Sequence, residues 1–291
     1  MSDNLNNPAD YLLHGGEIVD NISDRSGVMM IYQPKMFGEE WYLDNNDPTH
    51  DPRFRTGADL VKNKDGSLKI KQDSGKMQVL TSDLIVDDDV TQDHSWALKQ
   101  GYMYSPKDWL NFEATAYCRV NNHSSGRLII YGRSGRHIEG SELPMACLGC
   151  AYGARIFIKT ASTDITKEPW HHQYFHTDEK IQRSLANEIV GKWIGIKMIC
   201  YNITQNSENK SVRIELWIDP RNNNHWKLID SNIDDGRWDK LGKDCNRPKE
   251  GQPIFWGGPE VVFKWVSISD LDIQKMSVRE ISMLSPYEQI S

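Results

Sequence analysis

Nowhere in its 291 residues does the chain hold the ~20 consecutive apolar residues that a membrane-crossing helix needs, so no membrane partner is expected. The start, Met1-Ser-Asp-Asn-Leu-Asn-Asn-Pro8, has neither the basic nor the apolar region of a secretory leader. The chain is therefore expected in the cytosol or a virion, or outside the cell with its leader removed. A basic excess is missing too: 34 Lys and Arg face 41 Asp and Glu, a net charge of −7, which weighs against a nucleic-acid partner. Cysteine is scarce, and five (Cys118, Cys147, Cys150, Cys200, Cys245) are too few for a disulfide framework. From Val28 onward there is no Pro/Gly/Ser linker and no internal repeat.

What is present is aromatic. Ten Trp, eleven Tyr and seven Phe exclude a disordered chain. A chain of this length buries a sizeable core without a metal or cofactor to staple it, and none is expected. Turn signals recur at Asp65-Gly66, Ser74-Gly75, Ser125-Gly126, Asp219 to Asn224, Asp235-Gly236 and Gly257-Gly258-Pro259. Short runs between such signals read as a sandwich or barrel. Val212 to Asp219 alternates strictly, with Val212, Ile214, Leu216 and Ile218 on one side, and Trp226 to Asp230 completes a hairpin. Further strands are predicted at 112–120, 127–133, 155–159, 193–201, 261–266 and 273–281. One helix is predicted over Asp178–Val190, from Ile181, Leu185 and Ile189 at spacings of four, with Thr177 or Asp178 as cap and Gly191 as stop. The expected architecture is all-β: a two-sheet antiparallel sandwich over residues 28–285, between tails 1–27 and 286–291.

Alternation also names the residues on the side away from the core. They are Glu113, Tyr117 and Arg119; Arg127, Tyr131 and Arg133; Arg155, Phe157 and Lys159; Trp193, Lys197 and Tyr201; and Arg213, Glu215 and Trp217. Seven are basic and two acidic, in a chain that is acidic overall. Sugar rings stack their C–H faces on aromatic rings, and Arg grips uronate or sulfate groups bidentately. The expected partner is an anionic polysaccharide, with Arg133, Tyr131, Arg155, Lys159, His171, Trp193, Lys197, Tyr201 and Trp217 as candidate ligand-binding residues. Such long amphipathic residues also stabilise sheets by cross-strand pairing, without any ligand.

Polar chemistry is densest from 131 to 176, where Arg133, Arg136, His137, Tyr152, His171, His172, Tyr174 and His176 fall. Neighbours 171 and 172 point to opposite faces of a strand and lack a helical metal motif, so no metal site is expected. Cys147-Leu-Gly-Cys150 precedes a strand rather than opening a helix, which favours a structural bridge from one of the pair to Cys245 over a redox site. Cys118 and Cys200 sit in apolar runs and read as buried thiols.

Gly191-Lys-Trp-Ile-Gly-Ile-Lys-Met-Ile-Cys-Tyr-Asn202, the hairpin strand Glu215–Asp219 and the closing segment from Trp256 to Ile281 together resemble the concanavalin-like jelly rolls. Within these, the pattern over roughly 28–283 is most similar to the alginate-lyase-like branch. The resemblance implies β-elimination on uronic-acid chains, with Arg136 neutralising the carboxylate, His137 as base, and Tyr152 or Tyr174 as acid. The family's Gln-Ile-His and Tyr-Phe-Lys-x-Gly-x-Tyr motifs are missing from this chain. Two functions remain open: a protein that binds or cleaves an anionic glycan, and a surface-coat or virion module whose exposed aromatics mediate self-association.

Overall fold

The computed structural model describes residues 22–82, 102–103, 105–135, 150–170, 173–182, 189–204, 210–238 and 252–283. Among these every regular element is a strand. In chain order they are β1 (Glu40–Tyr42), β2 (Phe54–Thr56), β3 (Leu60–Lys62), β4 (Leu68–Ile70), β5 (Gly75–Leu80), β6 (Phe112–Ser134), β7 (Ala151–Phe157) and β8 (Ser162–Trp170). There follow β9 (Gln173–His176), β10 (Lys180–Ile181), β11 (Ile194–Thr204), β12 (Lys210–Asp219), β13 (Lys227–Asp234) and β14 (Glu260–Glu280).

Two long strands organise the rest. β6 and β14 pair antiparallel along their whole length, from Glu260↔Ser134 to Glu280↔Phe112. Register slips between Val266, Ile268, Asp270 and Leu271 crease this ribbon at its middle. Beyond the crease, the first half of β6 pairs with β11, which continues through β12 to β13, while β1 and β4 flank the second half of β14. On the near side, the second half of β6 pairs with β7 and then β8, and β5 flanks the first half of β14. Hydrogen bonding is thus continuous through fourteen strands, yet the crease folds them into two facing layers. The fold is an all-β antiparallel jelly-roll sandwich.

Why the layers face each other follows from the alternation. Phe112, Ala114, Ala116, Cys118 and Val120 from one half of β6 join Leu128 and Ile130 from the other half in a single core. A small apolar cavity of about 30 Å³ lies between them, lined by Ala116, Ile196 and Ile273 of the first layer and Met77, Ala154 and Phe263 of the second. Each fully buried aliphatic side chain in this core contributes about 1.5–3 kcal/mol relative to exposure. Glycine is required where the layers touch: a Cβ on Gly132 would stand 1.9 Å from the Phe112 ring. At one edge the layers are joined by polar groups, with Lys167 Nζ 2.6 Å from Asp234, the Tyr152 hydroxyl donating to Asp234 at 2.5 Å, and Thr163 donating to Asp230 at 3.0 Å.

Four expectations need correction. Residues 178–182 are not helical: Lys180 and Ile181 form a strand, pairing with Thr163 and Ser162, and Ile181 is 71% exposed, so no helical face is buried there. The edge of β8 supplies the hydrogen bonds that a helix would have made, and residues 183–188 lie outside the described set. Ser125-Gly126 is no chain reversal but part of the crease, where Gly126 makes room for Ile268. Cys150 is a free buried thiol, its Sγ accepting from Trp256 Nε1 at 3.2 Å, and burial pushes it up to about 12. It therefore makes no bridge, which excludes one of the two expected pairings; the other, Cys147 with Cys245, lies outside the described residues. Residues 22–27, assigned to the tail, already belong to the fold through Asp24, which pairs with Arg279 at 3.4 Å. Cys118 and Cys200 are buried free thiols, as expected.

Candidate functional site

Strand parity sends the predicted residues to the outside of both layers rather than to one surface. On the first layer these are Glu113, Tyr117, Lys197, Tyr201, Glu215 and Trp217, all no more than 6% exposed. The cause is the segment 22–33, whose Val28, Ile31 and Tyr32 lie over this face and form a second apolar cluster with Tyr117, Tyr201, Trp217 and Trp226.

The charges beneath it are internally paired. Lys197 Nζ reaches Glu113 Oε1 at 2.5 Å and Thr115 Oγ1 at 2.9 Å, and Arg279 also donates to Glu113. Burial depresses the Lys197 ammonium to about 8, against the opposing pull of Glu113. Burial alone would raise the Glu113 carboxyl, but Arg279 and Lys197 outweigh it and hold it below the usual range. Lys197, Tyr201 and Trp217 are therefore inaccessible to a glycan, contrary to expectation. Trp193 lies at the rim of this layer, part-exposed, with the Arg119 guanidinium 4.7 Å from its ring.

The outer face of the second layer differs. Arg127 and Tyr131 of β6, Arg155 and Phe157 of β7, and Lys264 of β14 all remain part-exposed there. Register sets them side by side: Tyr131 is opposite Gly153, Ile129 is opposite both Arg155 and Lys264, and Arg127 is opposite Phe157. Gly153 has a specific use, because a Cβ there would stand 2.7 Å from the Tyr131 ring; its absence lets that ring lean across onto β7.

Arg155 is partly committed. Its Nε donates to Asp164 Oδ1 at 2.6 Å, Nη2 donates to Asp164 and, at 3.0 Å, to His176 Nδ1, and the guanidinium sits 5.1 Å from the Phe157 ring. Arg127, Tyr131 and Lys264 are uncommitted: among the described residues their side chains have no hydrogen-bond or ion-pair partner, and the Arg127 Nε is buried. Their electrostatics bear this out. Burial lowers the Lys264 ammonium and the Arg127 charge lowers it further, with only Glu168 opposing. Burial lowers His176, assisted by Arg155 and Arg127. Burial raises the Tyr131 phenol.

The remaining expected residues are scattered. Arg133, at φ 54, is fully buried and donates to Leu110 O (2.9 Å), Asn202 Oδ1 (2.7 Å) and Ile254 O (2.6 Å), a structural role rather than a ligand-binding one. Tyr152 is buried between the layers, its hydroxyl bound to Asp234 and to the amide of Ile254 at 2.8 Å, which removes it as an acid for a surface-bound sugar. The alternation that puts Arg155 outside puts residue 152 inside. Lys159 is exposed in the turn after β7, and Tyr174 stands in β9. Arg136, His137 and His171 lie outside the described residues, so the proposed catalytic quartet is not assembled among those described. Sequence reasoning missed Lys264, Asp164 and Glu168, and singled out His176 only as part of the polar run; the rhythm Glu260, Val262, Lys264, Val266 was the available signal for the first. The run Asp219 to Asn224 is a hairpin turn, with Asn222 and Asn224 at positive φ and the amide of Asn224 donating to Asp219 at 2.7 Å.

No family model and no curated protein matches the chain. Among solved structures, a Bacillus subtilis protein of unknown function with a galectin-like fold aligns over 84% of this chain and 98% of its own, at 10% identity and a TM-score of 0.43. The exoplasmic/lumenal domain of VIP36, in a Ca2+/Man3GlcNAc-bound form, aligns over 83% and 90%, at 10% identity and a TM-score of 0.43. The binding domain of botulinum neurotoxin DC, in complex with rat synaptotagmin II, aligns over 79% of this chain and 44% of its own, at 12% identity and a TM-score of 0.37. The chain thus spans less than half the length of that toxin chain.

Proposed function

We propose that this protein binds an anionic polysaccharide on the part-exposed face of its second layer. One observation carries the reading: Arg127, Tyr131 and Lys264 share that face, and none has a polar partner among the described residues. The buried Arg127 Nε in particular is a donor left without a partner, which a ligand oxygen would satisfy. A sugar ring lies against the Tyr131 ring, and uronate or sulfate groups accept charge-assisted hydrogen bonds from Arg127 and Lys264. Arg155, held by Asp164 and His176, orients the neighbouring surface and adds positive field.

We favour binding over cleavage: of the two candidate acids, the buried Tyr152 hydroxyl cannot reach a leaving oxygen on this face, and the side chain of Tyr174, like Arg136 and His137, lies outside those described. Calorimetry with alginate, glucuronan and pectate, and a neutral glucan as control, tests the reading. Binding of the acidic chains that weakens with added salt is expected, with no rise in absorbance from unsaturated uronates. Equal binding of the neutral glucan, or no binding of any acidic chain, would overturn it.

A further inference from the structure

The cover over the first layer is itself attached like a ligand. Segment 22–33 makes a closed turn of its own, with Asp24 N bonded to Val28 O at 2.8 Å, Gly27 N to Asp24 O at 2.9 Å and Met30 N to Ile22 O at 2.9 Å. Among the described residues no strand of the sheet runs a backbone ladder along 28–32; the backbone pairing there is limited to isolated bridges at Met29, within the segment, and at Tyr32. Instead, sheet side chains read the segment. Glu113 Oε2 accepts the amide of Ile31 at 3.2 Å, Asn224 Oδ1 accepts the amide of Met29 at 3.1 Å, and Asn224 Nδ2 donates to Gly27 O at 2.9 Å. The Tyr32 hydroxyl enters a pocket between Glu215, at 3.2 Å, and the Tyr201 hydroxyl, at 3.3 Å.

That pocket is built by the sheet alone. Glu215 is held by Arg213 Nε (2.5 Å), Trp217 Nε1 (2.8 Å) and the Tyr201 hydroxyl (3.2 Å), and Glu113 by Lys197 and Arg279. The acceptors therefore keep their partners and positions without the segment. A preorganised face that reads two backbone amides, a carbonyl and a phenol has the features of a peptide groove.

We infer that the outer face of the first layer is a peptide-binding groove, filled here in cis by residues 28–32, that accepts the same segment from a second copy of the chain. The connection at Tyr32-Gln33 is the hinge, since from Gln33 onward the chain is tied to the second half of β14 and the residues after it, through Gln33 O to Ser282 N, the Pro34↔Ile281 bridge and Lys35 N to Glu280 O. Exchange conserves every contact of the segment, so its equilibrium is set by concentration and hinge geometry.

The test uses the full chain and a fluorescein-labelled peptide of residues 22–34. In a Tyr32→Ala chain the resident segment is weakened, so the peptide binds that chain at least about tenfold more tightly than wild type, as loss of a hydrogen bond to a charged acceptor predicts. A peptide carrying Tyr32→Ala binds neither. A folded Tyr32→Ala chain that ignores the wild-type peptide would overturn the groove. Tyr32→Phe, which removes one hydroxyl only, guards against misfolding: amides 28–32 must lose hydrogen-exchange protection while β11 and β12 keep theirs, and uniform loss would make the segment ordinary core. Light scattering completes the test, because a wild-type chain that stays monomeric at every concentration would exclude exchange between copies.

Discussion

The two outer faces of the sandwich come from one sequence pattern and meet opposite fates. Each carries basic and aromatic residues at alternate positions, and each uses a strand glycine to seat rings: Gly195 beneath Tyr117 and Trp226, Gly153 beneath Tyr131. On the first layer, Lys197, Glu113 and Arg279 are fully buried and satisfy one another under segment 22–33. On the second, Arg127 and Lys264 remain part-exposed and unpaired among the described residues. A period of two tells which side of a sheet a residue occupies; a distant segment decides whether that side meets solvent.

The sharpest way to break this contrast is Glu113→Ala. It strands Lys197 and Arg279 as buried charges without their shared carboxylate, and should cost about 3–5 kcal/mol in urea unfolding while leaving affinity for acidic polysaccharide unchanged in the folded fraction. The double variant Arg127→Ala, Lys264→Ala should do the reverse. Both side chains are part-exposed, so stability should change by less than about 0.5 kcal/mol for each. Affinity should fall by about tenfold or more, together with much of its salt dependence, as charge-assisted bonds are lost. A double variant that melts early but binds normally would erase the distinction between the faces.

Alternation read from the chain was sufficient for the layers. Val212 to Asp219 is the outstanding case: its apolar parity is the buried one, and its turn and partner strand lie where expected. The short strands β1 to β4 escaped notice because three-residue runs such as Leu60–Lys62 carry too little period to register. The start of the helix predicted over 178–190 failed because spacings of four at Ile181, Leu185 and Ile189 cannot report that Ile181 faces solvent beside β8. The site was half legible. Arg127, Tyr131 and Arg155 are neighbours along adjacent strands of one region, whereas Lys264 reaches them only through pairing of β14 with β6, more than a hundred residues away in sequence. Burial of Lys197 was hidden for a similar reason, since its cover starts near residue 22.

A smaller effect sharpens the role of the ring. Gly153→Ala introduces a methyl that would stand 2.7 Å from Tyr131 Cε1, so the ring must swing away. The methyl also meets the buried Thr166 Oγ1 at 3.0 Å, so both side chains must give and the stability cost is about 1–3 kcal/mol. Affinity for an acidic polysaccharide should drop severalfold, and Tyr131→Ala combined with Gly153→Ala should lose little beyond Tyr131→Ala alone. Additive losses in that cycle would separate the ring from the glycine.

The smallest expected effect concerns protons. In the free protein burial holds His176 below its ordinary 6.5, and the charges of Arg155 and Arg127 hold it lower still, outweighing Asp164. A polyanion seated on those guanidiniums would cancel their repulsion and raise the His176 value in the complex. Between the two values the complex carries more protons than the free protein, so affinity must rise as pH falls through the ordinary imidazole range. The ring is 41% exposed, which screens the coupling and limits the gain to less than about tenfold. His176→Ala should flatten the pH dependence without abolishing binding, because Arg127 and Lys264 still supply the contacts. If affinity is unchanged or falls on acidification, or if the His176 resonance titrates identically with and without glycan, the ligand does not sit beside Arg155.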